Sequence, residues 1–407
     1  MIAAALLFAV AAFAADDGCD IALRPAATLL LPYFEVDLKS PQGSATQTLF
    51  TIQNTSRLPQ IAHVTLWTDW GFAALDFNIF LPGYDVQGIN LYDILVHATI
   101  VSTSGMSSNA SVPSNPTAGS QPARNNENPK ISITFCSSLP GTFPKPLLQD
   151  LQQIFTIGRS AGNAIPCPAQ IGGAHTNAIG YATIDVMSSC NTSLPSQPQY
   201  WDQILYDNVL TGDYQQITPL GGRLAAHGGP LVHIRAVAEG TTLPHTFYEQ
   251  WAPKMSDRRQ PLPSVFAPRY VSGGPSGFRT RVTLWREATP PASRCSDYSA
   301  NSTIPFVDVV RFDEHENAAV PSGCIIVCPT VVGTPATISV PAESALFPVA
   351  STSGDVGGWL YLNLGSQGWV ISSMLAEQID PVDVAAPALV DGCTPAPKPG
   401  AQVGPSP

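Results

Sequence analysis

Gly180-Tyr181-Ala182-Thr183-Ile184-Asp185-Val186 decides the fold class of this chain. Ala182, Ile184 and Val186 alternate with Tyr181, Thr183 and Asp185, a period of two that sets an apolar and a polar row on opposite faces of a strand. Phe50 and Ile52 stand against Thr51 and Gln53 in the same way. Strands with one dry and one wet face belong to antiparallel sheets packed in pairs.

Working outward, further strands are predicted at Ala27 to Leu38, Thr48 to Gln53, His63 to Thr68, Phe77 to Leu81 and Ile89 to Ile94, punctuated by Asn-Thr-Ser, Trp-Gly and Pro-Gly. A second series follows at Thr280 to Arg286, Phe306 to Phe312, Ala336 to Val340, Ala345 to Val349, Trp359 to Leu364 and Trp369 to Met374. The order of elements repeats. Thr48 to Gln53 corresponds to Thr280 to Arg286, Phe77 to Pro82 to Thr337 to Pro341, and Tyr181 to Val186 to Trp359 to Leu364. A competing register matches Val64-Thr65-Leu66-Trp67 to the identical Val282-Thr283-Leu284-Trp285, but four-residue identities arise by chance in long chains, so the order of elements is the better guide. Pro146 to Phe155 sets Leu147, Leu151 and Ile154 at helical spacing and predicts a short amphipathic helix over the sheets.

The expected architecture is mainly β: two immunoglobulin-like antiparallel β-sandwich domains with a charged connector and one or two short helices. The boundaries are a signal peptide at 1–15, a first sandwich at 19–194 with a Ser/Asn/Pro-rich insertion near 100–128, a connector at 195–262, a second sandwich at 263–393 and a Pro/Gly tail at 394–407. Composition agrees: 407 residues, 44% hydrophobic but only 12% charged, with 32 Gly and 39 Pro. A net charge of -11, with 19 scattered Lys and Arg, excludes nucleic acid as a partner.

Met1 to Ala15 is an apolar run ending in small residues, the pattern of a secretory signal, and too short for a transmembrane anchor. Export places the chain in the periplasm, at the cell surface or outside the cell, where the eight cysteines Cys19, Cys136, Cys167, Cys190, Cys295, Cys324, Cys328 and Cys393 are expected to form disulfides. Four fall in each half, which leaves three pairings open in each.

Thr28-Leu29-Leu30-Leu31-Pro32-Tyr33-Phe34-Glu35-Val36-Asp37, Gly180 to Val186, Asp257-Arg258-Arg259-Gln260-Pro261-Leu262-Pro263 and Val310-Arg311-Phe312-Asp313-Glu314 together resemble an uncharacterised family of exported bacterial β-rich proteins with no assigned activity. The resemblance implies export and a β-rich architecture, and brings no catalytic residue.

Motifs of several common enzyme classes are missing: the chain has no phosphate loop or dinucleotide fingerprint, and His315-Glu316 lacks the second histidine of a zincin helix. The densest group of reactive side chains is in the connector, where His233, Arg235, Glu249, Arg258 and Arg259 are the candidate ligand-binding residues. A His and an Arg on one strand face suit a carboxylate or sugar acid; equally, Arg258 and Arg259 suit bidentate ties to Glu239, Glu249 or Asp257 at a domain seam, and that reading is preferred. No cofactor is expected. Calcium is the one cation that the turn acids Asp69, Asp76, Asp85, Asp308, Asp313, Glu314 and Glu316 are chemically suited to hold, although their spacing matches no known loop. Trp67 with Trp70, Tyr33 with Phe34, and Trp285, Trp359 and Trp369 are alternative stacking platforms for carbohydrate, with the His63 and Trp67 face of their strand expected to be open. The reading is therefore an exported, non-enzymatic structural, adhesive or ligand-binding protein with carbohydrate or another envelope protein as partner; the alternative is a secreted polysaccharide hydrolase with its site in the connector.

Overall fold

A computed structural model describes residues 24–100, 128–132, 141–190, 193–220, 223–252, 257–273, 277–287, 295, 307–318, 336–338, 342–349, 356–376 and 379–385. The stretch 1–15 read as a signal, most of the Ser/Asn/Pro-rich insertion, the 394–407 stretch and Cys19, Cys136, Cys324, Cys328 and Cys393 lie outside the described residues.

The first half contains β1 (Thr28–Val36), β2 (Gln47–Asn54), β3 (Gln60–Thr68), β4 (Ala73–Leu81), β5 (Val86–Asn90), β6 (Ala178–Met187), β7 (Leu210–Thr211), β8 (Asp213–Leu220), β9 (Arg223–Pro230) and β10 (Val232–Ile234). They form two antiparallel sheets: sheet I, ordered β10-β1-β6-β3-β4, and sheet II, ordered β5-β2-β8-β9 with β7 also on β2. Leu31, Phe34, Val64, Leu66 and Ile184 of sheet I meet Phe50, Ile52, Ile89 and Tyr214 of sheet II in one apolar core. The stretch 195–262, read from sequence as a connector, thus supplies β7 to β10 to these sheets.

The second half contains β11 (Val265–Phe266), β12 (Arg269–Ser272), β13 (Arg279–Arg286), β14 (Val307–Asp313), β15 (Ala336–Ile338), β16 (Ser344–Pro348), β17 (Val356–Asn363), β18 (Gly368–Ala376) and β19 (Ile379–Ala385). Sheet III is ordered β11-β17-β14-β15 with β12 also on β17, and sheet IV is ordered β16-β13-β18-β19. A second core, with Phe266, Tyr270, Leu360 and Leu362 from sheet III and Val282, Leu284 and Val370 from sheet IV, fills the space between them.

The two halves share one topology. In chain order, β1, β2, β3, β4, β5, β6, β8 and β9 correspond to β11 with β12, β13, β14, β15, β16, β17, β18 and β19; the ladders β1-β6-β3-β4 and β5-β2-β8-β9 recur as β11/β12-β17-β14-β15 and β16-β13-β18-β19. The correspondence follows the order of elements seen in the sequence. The identical Val-Thr-Leu-Trp tetrapeptides sit on non-equivalent strands, β3 in sheet I and β13 in sheet IV. The first strand is interrupted at a proline in both halves: β1 shifts register between Leu31 and Phe34, around Pro32, and Pro268 separates β11 from β12. Without an amide proton, proline cannot donate to the ladder there. Opposite this break lie Gly180 and Gly358, where an added Cβ would strike the carbonyl oxygens of Trp67 and Phe312 at 2.2 and 2.0 Å.

Three helices occur among the described residues, one more than the upper expectation: α1 (Leu91–Leu95), α2 (Lys145–Ile157) and α3 (Pro198–Gln203). The strand predicted from Ile89 to Ile94 stops at Asn90, whose side chain accepts the Tyr92 amide at 2.9 Å and caps α1. Helix α2 carries Pro146 in its first turn and ends at Gly158 with φ 67°, burying Leu151, Ile154 and Phe155.

The halves are joined covalently by Cys167–Cys295, whose Cα atoms are 5.6 Å apart. This pairing crosses between the halves, where four cysteines in each had suggested pairing within. Cys190 is also disulfide-bonded. No helix among the described residues is long and apolar enough to cross a membrane.

Candidate functional site

Three of the four stretches that carry the family resemblance converge on the outer face of sheet I. Asp185 of β6 accepts hydrogen bonds from Thr28 Oγ1 at 2.5 Å, Tyr200 OH at 2.7 Å and Tyr248 OH at 3.1 Å, and lies 3.4 Å from Arg259 Nη2. Arg259 also donates to Thr28 through Nε and to Asp257 Oδ1 through Nη1 at 3.0 Å. The Tyr248 amide donates to Asp257 Oδ2 at 3.0 Å. All are sealed: Arg259 and Tyr200 are 0% exposed, Asp185 1%. Burial opposes the charge on the Arg259 guanidinium, but Tyr200, Asp257, Asp185 and Tyr248 outweigh it and hold the group firmly protonated. Burial, then the Asp185 charge, pushes the Tyr200 and Tyr248 hydroxyls well above their ordinary range. The cluster is a fully bonded ion network with no opening for a substrate.

The other candidate residues do not join it. His233 pairs with Leu29 across β1, while Thr28, the next residue, carries the bond to Arg259; His233 and Arg259 therefore lie on opposite faces of sheet I. The His233 Nε2 accepts the Gly212 amide at 3.2 Å, and burial lowers its pKa, so the imidazole is neutral. Arg235 follows β10 half-buried, its carbonyl accepting from the Gln260 amide at 2.8 Å. Glu249 is exposed and pairs with His245 at 2.6 Å. Arg258 lies 4.4 Å over the Tyr206 ring. Of the ties foreseen for the two arginines, that between Arg259 and Asp257 is present.

A second buried polar group joins the halves. The Tyr181 hydroxyl donates to Glu343, the Glu343 and Ser344 amides donate to the Asp69 carbonyl at 2.6 and 3.2 Å, and Ser344 Oγ donates to the Pro32 carbonyl at 2.7 Å. The Asp69 carboxylate takes the Gly173 amide at 2.8 Å and pairs with His175 at 2.9 Å. Gly71, with φ 76°, leaves room for the Glu343 carboxylate, which an added Cβ would approach to 2.3 Å. Nearby, Glu287 accepts from Gln367 Nε2 at 2.6 Å, and burial holds its carboxyl well above the usual carboxylate range.

The aromatic expectations divide. His63 is 0% and Trp67 3% exposed, so the face of β3 expected to be open is instead covered by Phe247, Trp251 and Trp285. Tyr33, Phe34 and Trp285 are buried too, and Trp70 and Trp369 pack against the second core. Trp359 is partly exposed and stacked on Phe312 at 5.5 Å, on a sheet face that no described aromatic roofs in this way. The acids are not gathered for calcium: among the described residues no group of three His, Cys, Asp or Glu side chains is placed to hold a metal ion.

No family model, no curated protein and no solved structure matches the chain. The site must be judged on its geometry. Among the described residues, two neighbouring clefts of about 380 and 390 Å³ on sheet II share Asp213 and Gln215 and form a trough. Thr51, Asn90, Asp93 and Thr99 line one end, and His227 with Gly228 and Gly229 the other. Amide, hydroxyl and carboxylate groups over an apolar floor of Leu49 and Ile94 suit an uncharged polyhydroxylated ligand. Sequence reasoning missed this trough because β8 and β9, rich in Gln and Gly, give no strong alternation; the signal available was the polar outward row Asp213, Gln215.

Proposed function

We propose that this chain is an exported, non-enzymatic binding protein of the bacterial envelope or extracellular space, built from two immunoglobulin-like β-sandwiches, with the sheet II trough as its ligand site and a carbohydrate as the ligand class. The single observation that supports this reading is the fate of the reactive connector residues. Arg259 and Asp257 are spent in a closed ion network, and His233, Arg235 and Glu249 are dispersed around it. A hydrolase working in the connector needs these side chains in one open cleft.

The test is calorimetric titration of the full chain with a panel of polysaccharide fragments, alongside turnover assays on glycosides, esters and peptides. The reading predicts saturable binding that Gln215→Ala weakens by about 1 kcal/mol or more, with unchanged melting temperature. Turnover abolished by His233→Ala would replace it with the hydrolase reading.

A further inference from the structure

The internal joint has an acceptor and a donor, and each recurs once more on the molecule. The acceptor is the outer face of sheet I: Trp67 and Tyr181, a cross-strand pair stacked at 5.9 Å, with the turn from Thr68 to Phe72. The donor is the end of sheet IV: Trp285, which packs on Tyr181, with Glu343 and Ser344 beside it.

Sheet III repeats the acceptor. Phe312 and Trp359 occupy the positions of Trp67 and Tyr181 and stack at 5.5 Å. The turn is repeated bond for bond: Gly71 N to Thr68 O at 2.9 Å becomes Glu316 N to Asp313 O at 3.1 Å, and Phe72 N to Thr68 Oγ1 at 3.1 Å becomes Asn317 N to Asp313 Oδ1 at 2.9 Å. Glu314 thus stands where Asp69 stands. Sheet II repeats the donor. Gln53 pairs with Val86 as Trp285 pairs with Ser344, and Asn54 N bonds Asp85 O at 2.9 Å as Arg286 N bonds Glu343 O at 2.8 Å. Among the described residues neither copy is covered as its counterpart is. Tyr84 and Val86 are 68% and 43% exposed, two of the four exposed large hydrophobic side chains among the described residues. Phe312 and Trp359 are partly exposed.

We propose that a second copy of this chain docks the Tyr84-Asp85-Val86 edge of its first half onto the Phe312 and Trp359 face of the second half, repeating the internal joint between molecules head to tail. Such a contact is heterologous, so it propagates into a chain of molecules rather than closing a dimer. Charges are present for it on both sides: Arg57 and Asp85 at the donor, Arg269 and Glu314, each about half exposed and paired at 2.7 Å, at the acceptor. Size is also matched. Inside the molecule the long Glu343 meets Gly71; between molecules the shorter Asp85 meets Glu316, which has a Cβ where Gly71 has none. The inference stands apart from the sheet II ligand reading and survives its failure.

Sedimentation velocity of the full chain from micromolar to millimolar concentration tests it, using the exposed-site variants Val86→Glu and Arg269→Glu with thermal unfolding as the control for folding. The expected result is a ladder of oligomers for the natural chain, self-association weakened roughly tenfold or more in each variant alone, and dimers that grow no further when the two variants are mixed, since each retains the half-joint the other lacks. A natural chain that stays monomeric throughout, or variants that self-associate as well as it does, would overturn the proposal.

Discussion

The outer faces of sheets I and III are the same construction put to different uses. Each presents an aromatic pair from the third and sixth strands above a proline break in the first strand. In sheet I the face is roofed by Phe247, Trp251 and Trp285, and beneath that roof Asp185 anchors the Arg259 network. In sheet III the residue equivalent to Asp185 is Asn363, half-buried and bonded only locally, to the Gly365 amide at 3.0 Å. A buried acid was placed where a guanidinium reaches it, and a neutral amide where none does. Burial of a charge is tolerable only with such pairing.

The comparison breaks most visibly at that equivalent pair. Arg259→Ala leaves Asp185 and Asp257 buried without their cation and is expected to cost about 3–5 kcal/mol, whereas Asn363→Ala should stay within about 0.5 kcal/mol; chemical denaturation of both variants checks this. Trp67→Ala, which hollows a roofed face, should cost about 3–5 kcal/mol, and Phe312→Ala on the open face markedly less by the same measurement. Replacing Cys167 and Cys295 by serine removes the covalent tie and is expected to lower stability by about 2–5 kcal/mol, with amide exchange rising first in the second half.

Glu287 sharpens the account through pH. Its carboxyl is held above the ordinary value, chiefly by burial, so the native state prefers it protonated; the stability this contributes is present below the unfolded pKa of about 4.3 and is lost as pH rises through the raised native value. Glu287→Gln should therefore raise the melting temperature near neutrality and leave it unchanged in acid. The smallest effect concerns the turns. Gly71 and Glu316 share a left-handed backbone, with φ of 76° and 65°, which costs a residue with a Cβ about 1–2 kcal/mol. Glu316→Gly is expected to gain up to about 1 kcal/mol in thermal unfolding, and Gly71→Ala to lose more than that because its Cβ also meets Glu343.

Alternation at Thr48 to Gln53 and Tyr181 to Val186 made the strands and the repeat readable, because a half-buried strand writes its two faces into a period of two. The helical spacing from Leu147 to Ile154 did the same for α2. What alternation does not record is what covers the wet face. His63, Thr183 and Asp185 look solvent-facing in sequence and are buried, Asp185 beneath Tyr200, Tyr248 and Arg259 of the 195–262 stretch. The same limit hid the site. The arginine ties at 257–259 were legible as chemistry, since a guanidinium seeks a carboxylate, but Asp185, a polar residue in an ordinary strand pattern, gave no sign that it was the partner. Strands β8 and β9 escaped because glycine and glutamine blur the alternation, and with them the trough they form.

The most direct test is hydroxyl-radical footprinting of the native chain with the modified side chains read by mass spectrometry. The account predicts strong labelling of Trp359 and Phe312 and protection of Trp67 and Tyr181, with protection lost on unfolding. Equal labelling of the two aromatic pairs in the folded protein would contradict it.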